Sequence, residues 1–186
     1  LSLFICSTQG KLKVIEQDKV ERESVIFGML EQDGNTENGA EPIEWIVLEE
    51  KEGKALVISK QALSYLPYAA DGVAPLWEDS YVRKWLNQDF YSVAFTDEER
   101  DRIQITTLDN TGAGSQFVEG GATTEDYLFI LSRNDVKKYF GANAEVTEES
   151  FYSQAAIAEA TEISVLQSQE TNREYYTLSE TVYDKV

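Results

Sequence analysis

Pro42-Ile43-Glu44-Trp45-Ile46-Val47-Leu48, followed after the charged stretch Glu49-Glu50-Lys51-Glu52-Gly53-Lys54 by Ala55-Leu56-Val57-Ile58, decides the fold of this chain. Both runs are rich in β-branched and aromatic residues, and Gly53 marks a turn between them, so they read as an antiparallel pair of strands. Their near-continuous apolar character predicts central strands covered on two faces. Pro42 stands at the leading edge of its strand, where no ladder N–H is needed.

Upstream, Ser24 to Leu30 reads as a further strand, and Asp33-Gly34-Asn35-Thr36-Glu37-Asn38-Gly39 is dense in residues that tolerate close turns, so a hairpin loop follows. Residues 11–24 read equally as a lead-in strand or a short helix. Leu1 to Cys6 reads either as the tail of a signal-peptide apolar segment or as a first buried strand. Residues 1–23 are therefore taken as a lead-in and residues 24–186 as one α+β domain, with no internal repeat and no linker.

Downstream the period changes. Val82, Trp85, Leu86, Phe90 and Val93 fall on one helical face, with Arg83, Lys84, Asn87 and Gln88 on another, and Asp79 or Ser80 supplies the N-cap. Thr96 followed three residues later by Glu99 is a capping box that starts a short helix through Ile103. Residues 109–126, with Gly112, Gly114, Gly120 and Gly121, read as a long irregular loop. Tyr127-Leu128-Phe129-Ile130-Leu131 reads as a buried strand, and Ser132 caps a helix running to Phe140 and closed by Gly141. An Ala-rich stretch at 154–160 has helical character, and Tyr175–Leu178 and Val182-Tyr183 have β character.

Composition closes several kinds of chemistry. The chain has 186 residues, 34 acidic against 16 basic, and a net charge of −18. Nucleic acid needs a basic stripe that releases counterions from phosphates, and the longest basic runs here are pairs such as Arg83-Lys84 and Lys137-Lys138, so nucleic acid is not an expected partner. With no histidine there is no Ser-His-Asp or Cys-His nucleophile system and no His-based zinc site. Cys6 is the single cysteine, which excludes an internal disulfide and a multi-cysteine metal site. No stretch is long enough to span a bilayer.

Two places remain where the residue types point to binding. Asp33-x-Asn35-x-Glu37 offers alternate oxygens like the first ligands of a calcium loop, with Glu44 eleven residues after Asp33. Against this, Asn38 stands where such a loop needs glycine and strands rather than helices flank it, so a plain turn competes with the ion site; no cofactor is expected, and calcium is the ion that these ligands would suit. Trp45 and Trp85 read as core, whereas Trp77 lies in a loop beside Glu78 and Asp79. Trp77, Glu78, Asp79 and Tyr68 are the candidate ligand contacts, with tryptophan able to stack on a sugar ring. Paired carboxylates for glycoside hydrolysis are numerous by count, but their spacing in space is not legible in a sequence.

Phe27-Gly28, Glu31-Gln32-Asp33, Asn38-Gly39, Pro42-Ile43-Glu44-Trp45-x-Val47-Leu48, Ala55-Leu56-x-Ile58-Ser59-Lys60 and Arg83-x-Trp85-Leu86-Asn87-x-x-Phe90-Tyr91-x-x-Ala94-Phe95 resemble a bacterial domain-of-unknown-function family. That family, frequent in secreted and surface proteins of Gram-positive gut bacteria, looks like a distant relative of the C-type-lectin and formylglycine-generating (sulfatase-modifying) enzyme fold. The resemblance covers residues 25–141; beyond it only Tyr175-Tyr176-Thr177-Leu178-Ser179-Glu180 echoes the usual closing motif. It implies an α+β fold with a twisted antiparallel sheet and two main flanking helices. It also implies an extracytoplasmic setting and recognition of a carbohydrate or protein ligand. Formylglycine-generating enzymes act through a cysteine pair that this chain lacks, so that oxidase activity is not expected. The alternatives are a carboxylate-based hydrolase and a scaffolding domain of a longer secreted protein.

Overall fold

The computed structural model describes residues 22–69, 75–111, 120–140 and 159–170. The lead-in at 1–21, Cys6, the glycines Gly112 and Gly114, the Ala-rich stretch up to 158 and the β-rich Tyr175–Leu178 and Val182-Tyr183 lie outside the described residues.

Strands β1 (Ser24–Leu30), β2 (Glu41–Lys51) and β3 (Lys54–Ser59) form an antiparallel sheet in the order β1-β2-β3. The charged stretch closes as a two-residue turn: Lys51 pairs with Lys54, and Glu52 and Gly53 both take positive φ, as the right-handed twist of a tight hairpin requires. β2 occupies the centre. β3, equally apolar, ends the order instead of being central, yet both strands are covered on two faces as their composition demands.

That double cover follows from the period of two along a strand. Ile43, Trp45 and Val57 join Val82, Leu86, Phe90 and Ala94 in one buried cluster. Leu48 and Ile58 turn the other way and pack with Phe129 and Leu131 and with Val136, Tyr139 and Phe140. The first face is covered by α1 (Tyr81–Trp85), a π-helical turn (Leu86–Phe90) and α2 (Tyr91–Ala94); the second is covered by α4 (Arg133–Phe140). Between them come α3 (Asp97–Arg100) and a two-stranded antiparallel ladder of β5 (Thr106–Leu108) and β6 (Thr124–Asp126). β4 (Gln61–Ala62) pairs in parallel with β7 (Glu159–Ala160), which leads into α5 (Glu162–Glu170). Thr161 caps α5 by accepting the Ser164 N–H at 3.3 Å, and Gln167 Oε1 accepts the Tyr65 N–H at 2.8 Å, which ties α5 to the chain after β4.

The caps fall where their residue types place them. Ser80 accepts the Arg83 N–H at the start of α1, and Thr96 and Glu99 form the reciprocal capping box of α3. Ser132 and Asp135 exchange bonds in the same way at α4.

Two sequence expectations are corrected. Val93, expected on the buried face of its helix, is 74% exposed, and Ala94 is buried in its place. The π-helical turn adds a residue to the repeat, so the buried positions run 82, 86, 90, 94 and Val93 rotates to the solvent side. The strand expected over Tyr127–Leu131 is displaced to Thr124–Asp126, at the end of the segment read as an irregular loop. The N–H groups of Tyr127 and Leu128 go instead to Asn87 Oδ1, at 2.8 and 3.1 Å, so a side chain takes the bonds a neighbouring strand would have supplied. Leu128, Phe129 and Leu131 are buried all the same. The pairing of β1 with β2 is uneven: the register shifts between Ile26 and Met29.

Gly28 explains that shift. Its φ is +78°, and a Cβ there would lie 2.6 Å from Phe95 Cε1 and 2.8 Å from the Ala94 carbonyl oxygen, so the bulge requires glycine. The bulge turns the Phe27 carbonyl to the Trp45 indole N–H, 2.6 Å away, and presents the Gly28 N–H to Glu99 Oε1 at 3.0 Å. Trp45 is thereby fully buried with its one polar atom satisfied.

Candidate functional site

A 3-10 turn at Trp77–Asp79 precedes α1 and is locked by Ser80, which is fully buried: its hydroxyl donates to the Trp77 carbonyl at 2.9 Å. The indole of Trp77 then touches both hydrophobic clusters, so it sits where the two cores meet. Its N–H donates to Asp126 Oδ2 at 2.9 Å.

Asp126 is the hub of this region. Its side chain is 0% exposed and receives Arg83 Nε on Oδ1 at 2.6 Å, with the Thr124 hydroxyl joining Trp77 on Oδ2 at 2.7 Å. A buried carboxylate is tolerated only when paired and hydrogen-bonded, and three donors meet that demand here. Arg83, 25% exposed, also donates from Nη1 to the Glu78 carbonyl at 3.1 Å, so one guanidinium spans the 3-10 turn and β6.

Asn87, one helical turn beyond Arg83, uses its amide fully. Nδ2 donates to the Arg83 and Leu128 carbonyls at 3.0 and 2.9 Å while Oδ1 accepts Tyr127 and Leu128. The opposite wall comes from the segment before β6: Asn110 Nδ2 donates to the Ala122 carbonyl at 3.0 Å, and the Glu78 carboxylate accepts the Ala122 N–H. Glu78 Oε2 comes so near that a Cβ on Gly121 would be 2.4 Å from it.

The structure thus brings together three of the four expected contact residues. Tyr68 hydrogen-bonds Ser80 and feels the charge of Glu78; burial, reinforced by that charge, pushes its phenol up to about 12. Trp77 is half-buried and belongs to a turn instead of an exposed loop. Asp79 is exposed and, among the described residues, ties only its N–H, to the Leu76 carbonyl. Leu76 and Tyr81, which flank the turn in sequence, are each 38% exposed. Arg83, Asn87, Thr124 and Asp126 were not expected here, since the first two read as a solvated helix face. Their one sequence signal is the Arg83-x-x-x-Asn87 spacing, which aligns two hydrogen-bonding side chains on one side of a helix.

At the other candidate, Asp33 meets Glu31 and Glu41 rather than Asn35 and Glu37: one oxygen from each of these three carboxylates lies within 4.8 Å of the others. Each of them already holds a backbone N–H, Gly34 on Glu31 at 2.8 Å, Asn35 on Asp33 at 2.7 Å and Gln32 on Glu41 at 2.7 Å. The Asn35 N–H, with the Asn38 amide beside it, holds the Asp33 carboxyl below its ordinary value. Asn35 Oδ1 accepts the Glu37 N–H at 3.2 Å, and Glu37 is exposed, so neither is turned toward Asp33. A calcium ion here would compete with the bonds that shape the turn, and Glu44 is occupied elsewhere, with Lys60 and Ser24.

These elements define an α+β domain in which a helix and a 3-10 turn are pinned to a short ladder by one buried carboxylate. Its sequence matches the family described as Domain of unknown function (DUF6273) over residues 52–184, and the chain belongs to that family. The matched stretch starts at the β2–β3 turn and contains the whole Trp77–Arg83–Asn87–Asp126 arrangement; it leaves out the Pro42–Leu48 motif and runs on well past residue 141. No curated protein and no solved structure matches. No helix among the described residues is long and apolar enough to cross a membrane.

Proposed function

We propose that the domain is a non-catalytic recognition module that binds a carbohydrate or protein ligand through the surface around Trp77, and that it works outside the cytoplasm. The observation that carries the reading is the Asp126 carboxylate. Both its oxygens are spent on Trp77, Arg83 and Thr124, so the most buried charge of the region holds a surface in shape and is not free to move a proton. Beside it the half-buried Trp77, flanked in sequence by the exposed Leu76 and Tyr81, offers the apolar groups that sugar rings and peptide side chains stack against.

At the level of fold, the likeness to C-type-lectin and formylglycine-generating domains is supported by an antiparallel sheet with helices on both faces. The extracytoplasmic setting rests on the sequence resemblance over residues 25–141. A glycan array, run with calcium and with chelator, tests the carbohydrate arm, and cross-linking on intact producing cells tests the protein arm and the location. Binding that is lost on Leu76→Ser with Tyr81→Ser, in a chain whose circular dichroism is unchanged, is the expected result. A folded chain that captures nothing in either assay, or whose binding survives both substitutions, overturns it.

A further inference from the structure

We propose that Asn38 is a site of spontaneous covalent modification, converting to aspartate and isoaspartate through a succinimide formed with Gly39. Residues 34–40 are all exposed, and nothing lies within 4 Å of the place a Gly39 side chain would occupy, so neither sterics nor burial shields the Asn38-Gly39 bond. Among the described residues no hydrogen bond holds the Gly39 N–H, and glycine puts no Cβ in the way of its nitrogen. The Asn38 N–H donates to the Asn35 carbonyl at 3.2 Å and Nδ2 makes a single bond, to Asp33 Oδ2 at 2.7 Å, while among the described residues no donor reaches Asn38 Oδ1.

The step balances without a co-reactant other than water. The Gly39 nitrogen bonds to Asn38 Cγ, the Cγ–Nδ2 bond breaks, and Nδ2 departs as ammonia carrying the proton lost from the Gly39 amide. Water then opens the five-membered imide. Addition at Cγ gives aspartate, and addition at the Asn38 backbone carbonyl reroutes the chain through Cγ as isoaspartate. In the other described asparagines the attacking nitrogen or the amide itself is held: Asn35 precedes the β-branched Thr36, Asn87 is held by four hydrogen bonds, the Thr111 N–H that follows Asn110 donates to Asp109 Oδ1 at 3.0 Å, and the Asp135 N–H that follows Asn134 donates to the Ser132 hydroxyl at 3.2 Å. Either product removes the donor that Asp33 now receives and adds a negative charge beside it, so the 33–39 turn opens by like-charge repulsion.

The full chain is incubated in mildly alkaline buffer beside a free peptide spanning residues 31–41, and both are mapped by mass spectrometry. A gain of roughly 1 Da confined to the Asn38 peptide, split into two chromatographic products with isoaspartate in excess, is expected, with Asn35, Asn87, Asn110 and Asn134 unchanged. Asn38→Gln, whose longer side chain disfavours the five-membered ring, abolishes the shift, and Gly39→Ala slows it. An Asn38 that stays intact while the free peptide converts overturns the proposal, as does a Gly39→Ala chain that converts as fast as the parent.

Discussion

Arg83 Nε and Asp126 Oδ1 are 2.6 Å apart, joined across 43 residues of chain, with the carboxylate wholly out of solvent. Removing one member of such a pair strands the other. Asp126→Ala leaves the guanidinium, the Trp77 N–H and the Thr124 hydroxyl without their acceptor, and a loss of about 3–5 kcal/mol is expected, at the low end because Arg83 is partly hydrated. The double change Arg83→Met with Asp126→Leu costs less than Asp126→Ala alone. Urea midpoints of the three chains check this; equal losses would mean that the pair is not what Asp126 contributes.

Asn87→Ala orphans the Tyr127 and Leu128 N–H groups and takes a donor from the Leu128 carbonyl, while the Arg83 carbonyl keeps the Leu86 N–H. Each buried polar group left unmet costs about 1–3 kcal/mol. Amide exchange at Tyr127 and Leu128 then rises well before global unfolding, which hydrogen-exchange mass spectrometry reads directly.

Gly28→Ala meets both a left-handed backbone and the Phe95 ring. A strained position of this kind costs about 1–3 kcal/mol, and the Phe95 contact puts the change at the upper end. Thermal unfolding measures it, with Gly39→Ala as the open-turn control: the same positive φ without the neighbouring ring.

Glu99 supplies a pH signature. The Thr96 N–H, then the Gly28 N–H, the Thr96 hydroxyl and the charge of Arg102, hold its carboxyl below the ordinary 4.5. A folded-state value below the unfolded one means that the ionised form favours folding. Its contribution is therefore complete above the ordinary glutamate range and fades as pH falls through that range to the lowered value. Wild type should exceed Glu99→Gln in stability at neutral pH, and the gap should close on acidification. A gap constant down to pH 3 would remove the carboxylate from the account.

Local rules carried far in this chain. Thr96 with Glu99, Ser80 before Tyr81, and Gly53 between two β-rich runs each encode their element within a few residues, and each element starts where its residues place it, although the helix begun at Thr96 ends at Arg100 instead of Ile103. The misreadings arise where the decisive partner is remote. Val93 has the period of a buried residue, and only the π-helical turn displaces it. Tyr127 and Leu128 have strand composition, but a side chain 40 residues earlier captures their amides. The Asp126 hub was hidden for the same reason: among 34 acidic residues nothing marks the one that Trp77 and Arg83 will enclose.

β2 is the strand through which the two buried clusters share a wall, since Trp45 faces one and Leu48 the other. Neither core can therefore melt alone without exposing the back of the strand that the other rests on. The amides of Trp45, Ile46 and Val47 should be the last in the protein to trade hydrogen for deuterium, and their exchange should track complete unfolding instead of local opening. Loss of either helical cover, at Val82 or at Val136, is then felt on both sides of the sheet as one cooperative event.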